Sequence, residues 1–249
     1  MSITLTPEEQ AFKDAYVRSR GYWVAFNDGL LRYNPRWIEG HLAYADAVQS
    51  EGPLDVRTRE LIFIAVDAST THLYLQGLDI HIREAFASGC SAADLIEVLL
   101  IAAMQGLDSV IAGVELLTEL APATAAIDEL IVVQLLDRYA AVRGDRPTWL
   151  AVVATMTPLY AQALVDLIEI DAGQARLTDR ERALIRLSLA ASPTHLNRPA
   201  MRSEIRAAMV AGATSAEILE VFQLVGLLGL HACVDGIPAV IAADAECNS

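Results

Sequence analysis

The sequence predicts an all-α protein made of two tandem copies of one helical unit. Three observations carry that prediction. The run Ala68-Ser69-Thr70-Thr71-His72-Leu73 recurs 123 positions later as Ala191-Ser192-Pro193-Thr194-His195-Leu196. Without a gap, the stretches from Leu54 to Gly113 and from Leu177 to Gly236 share 20 identities in 60 aligned positions. The register extends upstream through Tyr16/Tyr139, Gly21/Gly144 and Pro35/Pro158, and a period of this size marks a repeated structural unit. Hydrophobic residues make up 54% of the 249 residues, while Gly and Pro number only 14 and 9. That balance suits packed helices better than a turn-rich β fold. The expected units are residues 1–121 and 122–249, related by a pseudo-twofold.

In the first copy, Thr6-Pro7-Glu8-Glu9 reads as a helix start. A hydroxyl caps, proline takes the first helical position and acids face the positive end of the dipole. That helix runs to about Arg20. A second covers Tyr22 to Leu31, and a third opens at Pro35 and ends near Val48, with Gln49 to Pro53 as a loop. Asp55 caps a helix from Val56 to Ala68, in which Leu61, Ile62, Ile64, Ala65 and Ala68 keep helical spacing. Ser69-Thr70-Thr71 interrupts it. The next helix spans about Leu73 to Ser88 and stops at Gly89, a C′ glycine. Ser91-Ala92-Ala93-Asp94 is a capping box opening a nearly all-apolar helix, Ala92 to about Leu107, expected at the centre. Ile111 to Leu120 continues as helix.

The second copy repeats the plan. Pro122 to Val142 is helical, Gly144 to Pro147 breaks it, and two segments flank Thr157-Pro158. Thr178-Asp179-Arg180-Glu181 and Thr214-Ser215-Ala216-Glu217 are capping boxes at the counterparts of Asp55 and Ser91. Val221 to Val240 is the most apolar stretch. It contains Gln223, His231, Asp235 and Pro238, so it reads as a buried helix and its exit, not as a membrane span.

Composition narrows the partners. A formal charge of −14, with no basic face, excludes a general nucleic-acid binder and argues against an anionic membrane surface. Cys90, Cys233 and Cys247 are odd in number and widely spaced, as expected of reduced thiols in a cytoplasm. The N-terminal residues lack the basic and apolar regions of a signal peptide. No glycine-rich phosphate loop, Gly-x-Ser-x-Gly elbow or dinucleotide fingerprint is present. His72 and His81 are nine residues apart without a third ligand at regular spacing, so no metal is expected.

The run Arg57-Thr58-Arg59-Glu60-Leu61-Ile62, then His81 followed after seven residues by Gly89, then a capping box and an apolar helix, resembles the carboxymuconolactone decarboxylase and alkylhydroperoxidase D-like family. The resemblance covers most of both copies. Its peroxidase branch uses a Cys-x-x-Cys pair with a histidine four residues on. Here His81 holds the histidine position, but Tyr74 and Gly77 stand at the cysteines; in the second copy Asn197, Ala200 and Glu204 fill the three places. A dithiol needs two adjacent sulfurs, so thiol peroxidase chemistry is not expected. The decarboxylase branch works without metal or organic cofactor on a carboxylated lactone. The resemblance therefore implies a cofactor-independent lyase or isomerase for a small cyclic or conjugated carboxylic acid or lactone. It also implies a homo-oligomer, expected here as a dimer or trimer.

The expected catalytic set is His81 as proton carrier, with Glu60 or Asp108 orienting it. His72, Tyr74, Arg83, His195 and His231 are the candidate substrate contacts. Each has a plainer reading. His72 and His195 can satisfy backbone groups in the turn, and the arginines kept in both copies, Arg57/Arg180, Arg59/Arg182 and Arg83/Arg206, suit salt bridges. Arg83 is two residues from His81 and points elsewhere on a helix. One exchange separates the copies: His81 and Asp108 in the first correspond to Glu204 and His231 in the second. Either each repeat keeps its own His–carboxylate pair in opposite order, or His81 faces His231 across the pseudo-twofold, or the exchange is accidental. A helical binding or assembly protein that has shed its chemistry is the alternative function.

Overall fold

The computed structural model describes residues 4–121 and 129–247. The expected boundary between the copies and the start of the helix at Pro122 lie outside the described residues. All regular structure among the described residues is helical. The first copy holds α1 (Pro7–Arg20), α2 (Asn27–Tyr33), α3 (Pro35–Glu51), α4 (Val56–Ala68), α5 (Leu75–Ala87), α6 (Ala92–Ala103) and, after a 3₁₀ turn over Met104–Gly106, α7 (Leu107–Leu120). The second holds α8 (Glu129–Arg143), α9 (Thr148–Met156), α10 (Pro158–Gly173), α11 (Asp179–Ala191), α12 (Arg198–Val210), α13 (Ser215–Gly226) and, after a 3₁₀ turn over Leu227–His231, α14 (Ala232–Cys247). The bounds of α4, α5 and α6 coincide with those of α11, α12 and α13 once shifted by 123. So do the residues with positive φ: Leu73 and Leu196, Gly21 and Gly144, Gly89 and Gly212.

The caps explain the shared boundaries. Asp55 accepts from the Thr58 amide, and the capping boxes at Thr6, Ser91, Thr178 and Thr214 are all formed. Three expectations shift. The second helix begins only at Asn27, and α3 runs on to Glu51 through the expected loop. The helix expected from Leu73 starts at Leu75, because Leu73 adopts φ 51°.

The centre also differs from expectation. The helices buried along most of their length are α4 and α11, whose Leu61, Ile62, Ile64, Leu184, Ile185 and Leu187 are fully buried. Helices α6 and α13 each bury one face, through Leu95, Val98 and Ile101 or Ile218, Val221 and Leu224, and leave Ile96, Leu99, Leu100 and Leu219 exposed. Helix α14 has no buried residue, so the burial of the apolar stretch that starts at Val221 ends with Leu228 in the 3₁₀ turn. The runs Ala92–Leu120 and Ser215–Cys247 are long and apolar enough to cross a membrane by length and composition. Each is interrupted by its 3₁₀ turn and carries a buried glutamate, Glu97 or Glu220, that is bonded into the core.

Those glutamates join the two copies. Glu220 accepts from Arg59 Nε at 2.6 Å and from the Leu54 amide at 2.6 Å. Reciprocally, Glu97 accepts from Arg182 and from the Leu177 amide, the latter at 3.0 Å. Arg57 pairs with Glu181 of the other copy and with Asp94, and Arg180 with Glu217. These arginines are structural, as their duplication implied.

Candidate functional site

The repeated turn places the chemistry. Helix α4 ends at Ala68, Leu73 turns left-handed, and the Tyr74 amide returns to the Asp67 carbonyl at 2.8 Å. A left-handed leucine is strained, and its presence in both copies fixes the direction in which His72 and His195 leave the turn. Tyr74 then precedes α5, on whose second turn His81 sits.

His81 Nδ1 lies 2.7 Å from Glu60 Oε2, and its ring stacks on Phe63 with centroids 4.5 Å apart. Both partners come from α4. An ionised carboxylate only accepts, so the imidazole donates from Nδ1, and Nε2 remains for proton exchange. Of the two acids expected to orient His81, Glu60 does so and Asp108 does not. Asp108 instead accepts from His195 Nε2 at 2.6 Å.

His72 Nε2 meets His231 Nδ1 at 2.7 Å, the two rings lying nearly parallel. Tyr74 packs over His231 at a centroid distance of 4.0 Å. Both contacts cross between copies: the turn of one meets the region just after the 3₁₀ segment, or its end, in the other. The expected intra-repeat pairs do not form. Glu204 bonds to Arg186 Nε at 2.9 Å, not to His231. Arg186 stands where the first copy has Phe63, and Ala183 where it has Glu60, so the second copy has replaced an oriented histidine by an ion pair. Arg83 does not join the site either. It is exposed and forms a two-pronged bridge with Asp79 one turn back.

Asp67, which the spacing arguments passed over, lies between these groups. It is 1% exposed, and neither carboxylate oxygen has a hydrogen-bond partner. Its Oδ1 is 4.0 Å from His72 Nε2 and 3.9 Å from His231 Nδ1. Burial raises its pKa to about 7, opposed by nearby His81 and reinforced by Glu60. Burial, then the proximity of His72 and His81, lowers His231 to about 4, and burial lowers His72. Burial raises the Tyr74 phenol, helped by Asp67 and Asp235. The available signal was an acid in the apolar run Ile64-Ala65-Val66-Asp67-Ala68 whose counterpart is Ala190. The ligand atoms of Asp67, His72 and His231 all lie within 4.8 Å of one another, a juxtaposition that the spacing of the histidines in sequence did not show.

Two surface cavities lie elsewhere. One of about 530 Å³ is lined by Asp55, Arg57, Glu84 and Ser88, and one of about 340 Å³ is lined by Val110, Val114, Met156 and Tyr160. Neither includes His81. All three cysteines are free, and Cys90 is buried in the core cluster with Ala85 and Leu95.

The profile of the carboxymuconolactone decarboxylase family matches residues 35–119, the part that supplies Glu60, Asp67, His72, Tyr74, His81 and Asp108. Residues 35–119 belong to the carboxymuconolactone decarboxylase family. The likeness to a solved structure extends further. A provisionally named gamma-carboxymuconolactone decarboxylase subunit from Burkholderia xenovorans LB400 superposes with a TM-score of 0.87 at 28% identity, covering 97% of this chain and 99% of that one. Among curated proteins none matches at a significant level. The family fold is thus present.

Proposed function

We propose that the chain is a carbon–carbon lyase or isomerase acting on a small cyclic or conjugated carboxylic acid or lactone. The observation that supports this reading best is the 2.7 Å contact between His81 Nδ1 and Glu60, present in the first copy only. A carboxylate on one nitrogen fixes the tautomer and leaves the other to deliver a proton. In a decarboxylation, the bond from the ring carbon to the carboxyl group breaks, carbon dioxide leaves, and the electron pair enters the conjugated system. Protonated on both nitrogens, His81 gives its Nε2 proton to that carbon, is left as the Nδ1–H tautomer held by Glu60, and takes a new Nε2 proton from water. The family match and the likeness to a decarboxylase subunit agree with such a role.

A screen of carboxylic acids and lactones for carbon dioxide release or isomerisation tests it. On a substrate so found, His81→Ala is expected to reduce turnover by about 10²- to 10⁴-fold, the usual span of acid–base catalysis. Glu204→Ala is expected to leave turnover intact. Turnover that survives His81→Ala would refute the reading. The second reading, a helical binding protein without catalysis, is supported by the apolar cavity of about 340 Å³ lined by Val110, Val114, Met156 and Tyr160. It predicts that ligands raise the melting temperature without being converted.

A further inference from the structure

Among the described residues, the buried side-chain oxygens lacking a hydrogen-bond partner are the two of Asp67. A buried ionised carboxylate with no partner is costly, and such a group in a folded protein calls for a reason. What faces it is a pair of imidazole nitrogens, His72 Nε2 and His231 Nδ1, at 4.0 and 3.9 Å. We propose that Asp67, His72 and His231 form a binding site for a divalent transition-metal cation of the zinc type, with coordination positions left open for an oxygen ligand such as a carboxylate.

The donor set suits that class. Imidazole and carboxylate together favour zinc, iron and related ions over calcium or magnesium, and three protein ligands leave room for another. Ligands at about 2.0–2.2 Å from one ion stand roughly 3–4 Å apart. The two Asp67 distances already lie at that span, and the 2.7 Å His72–His231 separation needs to open by a few tenths of an ångström. The site is also cleared for the carboxylate. A Cβ on Gly77 would lie 2.3 Å from Asp67 Oδ2 and 2.5 Å from the Tyr74 ring, so a glycine there keeps the oxygen in place. The left-handed Leu73 and the Tyr74-to-Asp67 backbone bond hold the turn that presents His72.

The pseudo-symmetric position supplies an internal comparison. It carries Ala190, His195, Asp108 and Ala200 where the first has Asp67, His72, His231 and Gly77. With one ligand gone, His195 and Asp108 close into a hydrogen bond of 2.6 Å. The proposed cation therefore belongs to one side of the molecule. Its ligands come from the end of α4, the following turn, and the opposite copy, which is why no regular spacing announced them. The inference stands apart from the reaction proposed above, since His81 and Glu60 are not among the ligands.

The test uses the full chain stripped with a chelator and titrated with Co²⁺, then Zn²⁺, followed by visible ligand-field absorption, calorimetry and melting temperature. Expected are one Co²⁺ per chain, its displacement by Zn²⁺, and a higher melting temperature with either ion. Asp67→Asn, Asp67→Ala and His231→Ala are each expected to weaken binding beyond the roughly 10- to 100-fold typical of losing an outer-shell partner. His195→Ala is expected to leave it unchanged. Two outcomes overturn the site: a wild-type chain with no stoichiometric Co²⁺ spectrum, in which case Asp67 is held as a neutral acid, or binding retained in both Asp67→Ala and His231→Ala, which assigns it to the acidic surface. The wild-type titration decides even where a variant fails to fold.

Discussion

Thr71 Oγ1 and Thr194 Oγ1, counterparts 123 positions apart, lie 2.9 Å from each other. Two equivalent atoms of a duplicated chain touch only where the pseudo-twofold passes between them. The two turns that present His72 and His195 therefore meet back to back at the axis, and each reaches into the other copy for its partner, His231 or Asp108.

The same symmetry sets the first stability prediction. Glu220 is fully buried and ties Arg59 and the Leu54 amide to the second copy. Removing one member of a buried pair strands the other, at a cost of about 3–5 kcal/mol. Glu220→Ala is expected to lose that much in urea unfolding. The paired change Arg59→Met with Glu220→Leu is expected to lose far less. Gly52→Ala is expected to cost about 1–3 kcal/mol by overpacking, since its Cβ would lie 2.1 Å from the Glu220 carboxyl carbon.

The second prediction concerns the strained turn. Leu196 adopts φ 47° and is 59% exposed, so little packing offsets a left-handed strain of about 1–2 kcal/mol. Glycine removes the strain but gives back about 0.5–1 kcal/mol through its freer unfolded chain. Leu196→Gly is expected to be neutral or stabilising by up to about 1.5 kcal/mol. Leu196→Val, with a β-branched side chain in that region, is expected to be destabilising. A reversed order in equilibrium unfolding would show that the turn stores no strain.

The sequence made the helices legible where caps mark them: Asp55, Ser91, Thr178 and Thr214 each start a helix at the residue expected. It misled where hydrophobicity stood in for burial. The apolar α6 is half uncovered and α14 has no buried residue, while α11, polar at its N-terminal turn with Asp179, Arg180, Glu181 and Arg182, is central, with Glu181 and Arg182 paired across the copies to Arg57 and Glu97. At the site, Glu60 and His81 were readable because they lie on adjacent helices of one copy. The contacts of His72 with His231 and of His195 with Asp108 were not, because a hydrogen bond between residues 159 or 87 positions apart leaves no periodic trace. Asp67 carries no such mark either: its counterpart is Ala190, so it is neither a shared nor an exchanged position.

The third prediction follows from the capping boxes at the matched helices α6 and α13. Burial pushes the Asp94 carboxyl up, but the Ser91 amide and hydroxyl and Arg57 outweigh it, leaving the pKa below its ordinary value. Glu217 behaves alike through Thr214 and Arg180. A depressed carboxylate contributes stability above its unfolded pKa, about 3.9 for Asp and 4.3 for Glu. That contribution fades as pH falls through the folded values. The double variant Asp94→Asn with Glu217→Gln is expected to be less stable than the parent near pH 7, by about 1 kcal/mol per site. The gap in urea midpoint is expected to narrow as pH drops below about 4. A gap independent of pH would assign the loss to packing.

The last prediction turns the broken symmetry into a construction. The second copy lacks the first copy's buried carboxylate, second imidazole and accommodating glycine, having Ala190, Asp108 and Ala200 instead. The triple variant Ala190→Asp, Asp108→His and Ala200→Gly restores all three around His195. The glycine is required, because at the equivalent Gly77 a Cβ would fall 2.3 Å from the carboxylate oxygen. Without metal the variant is expected to melt lower than the parent, through a newly buried acid and a glycine near the start of α12 that costs up to about 1 kcal/mol. With Co²⁺ it is expected to bind two ions per chain in place of one and to recover more of its melting temperature than the parent gains. The double variant that keeps Ala200 is expected to hold one. If the folded triple variant also holds only one, the equivalence of the two positions about the Thr71–Thr194 axis does not extend to their ligand geometry.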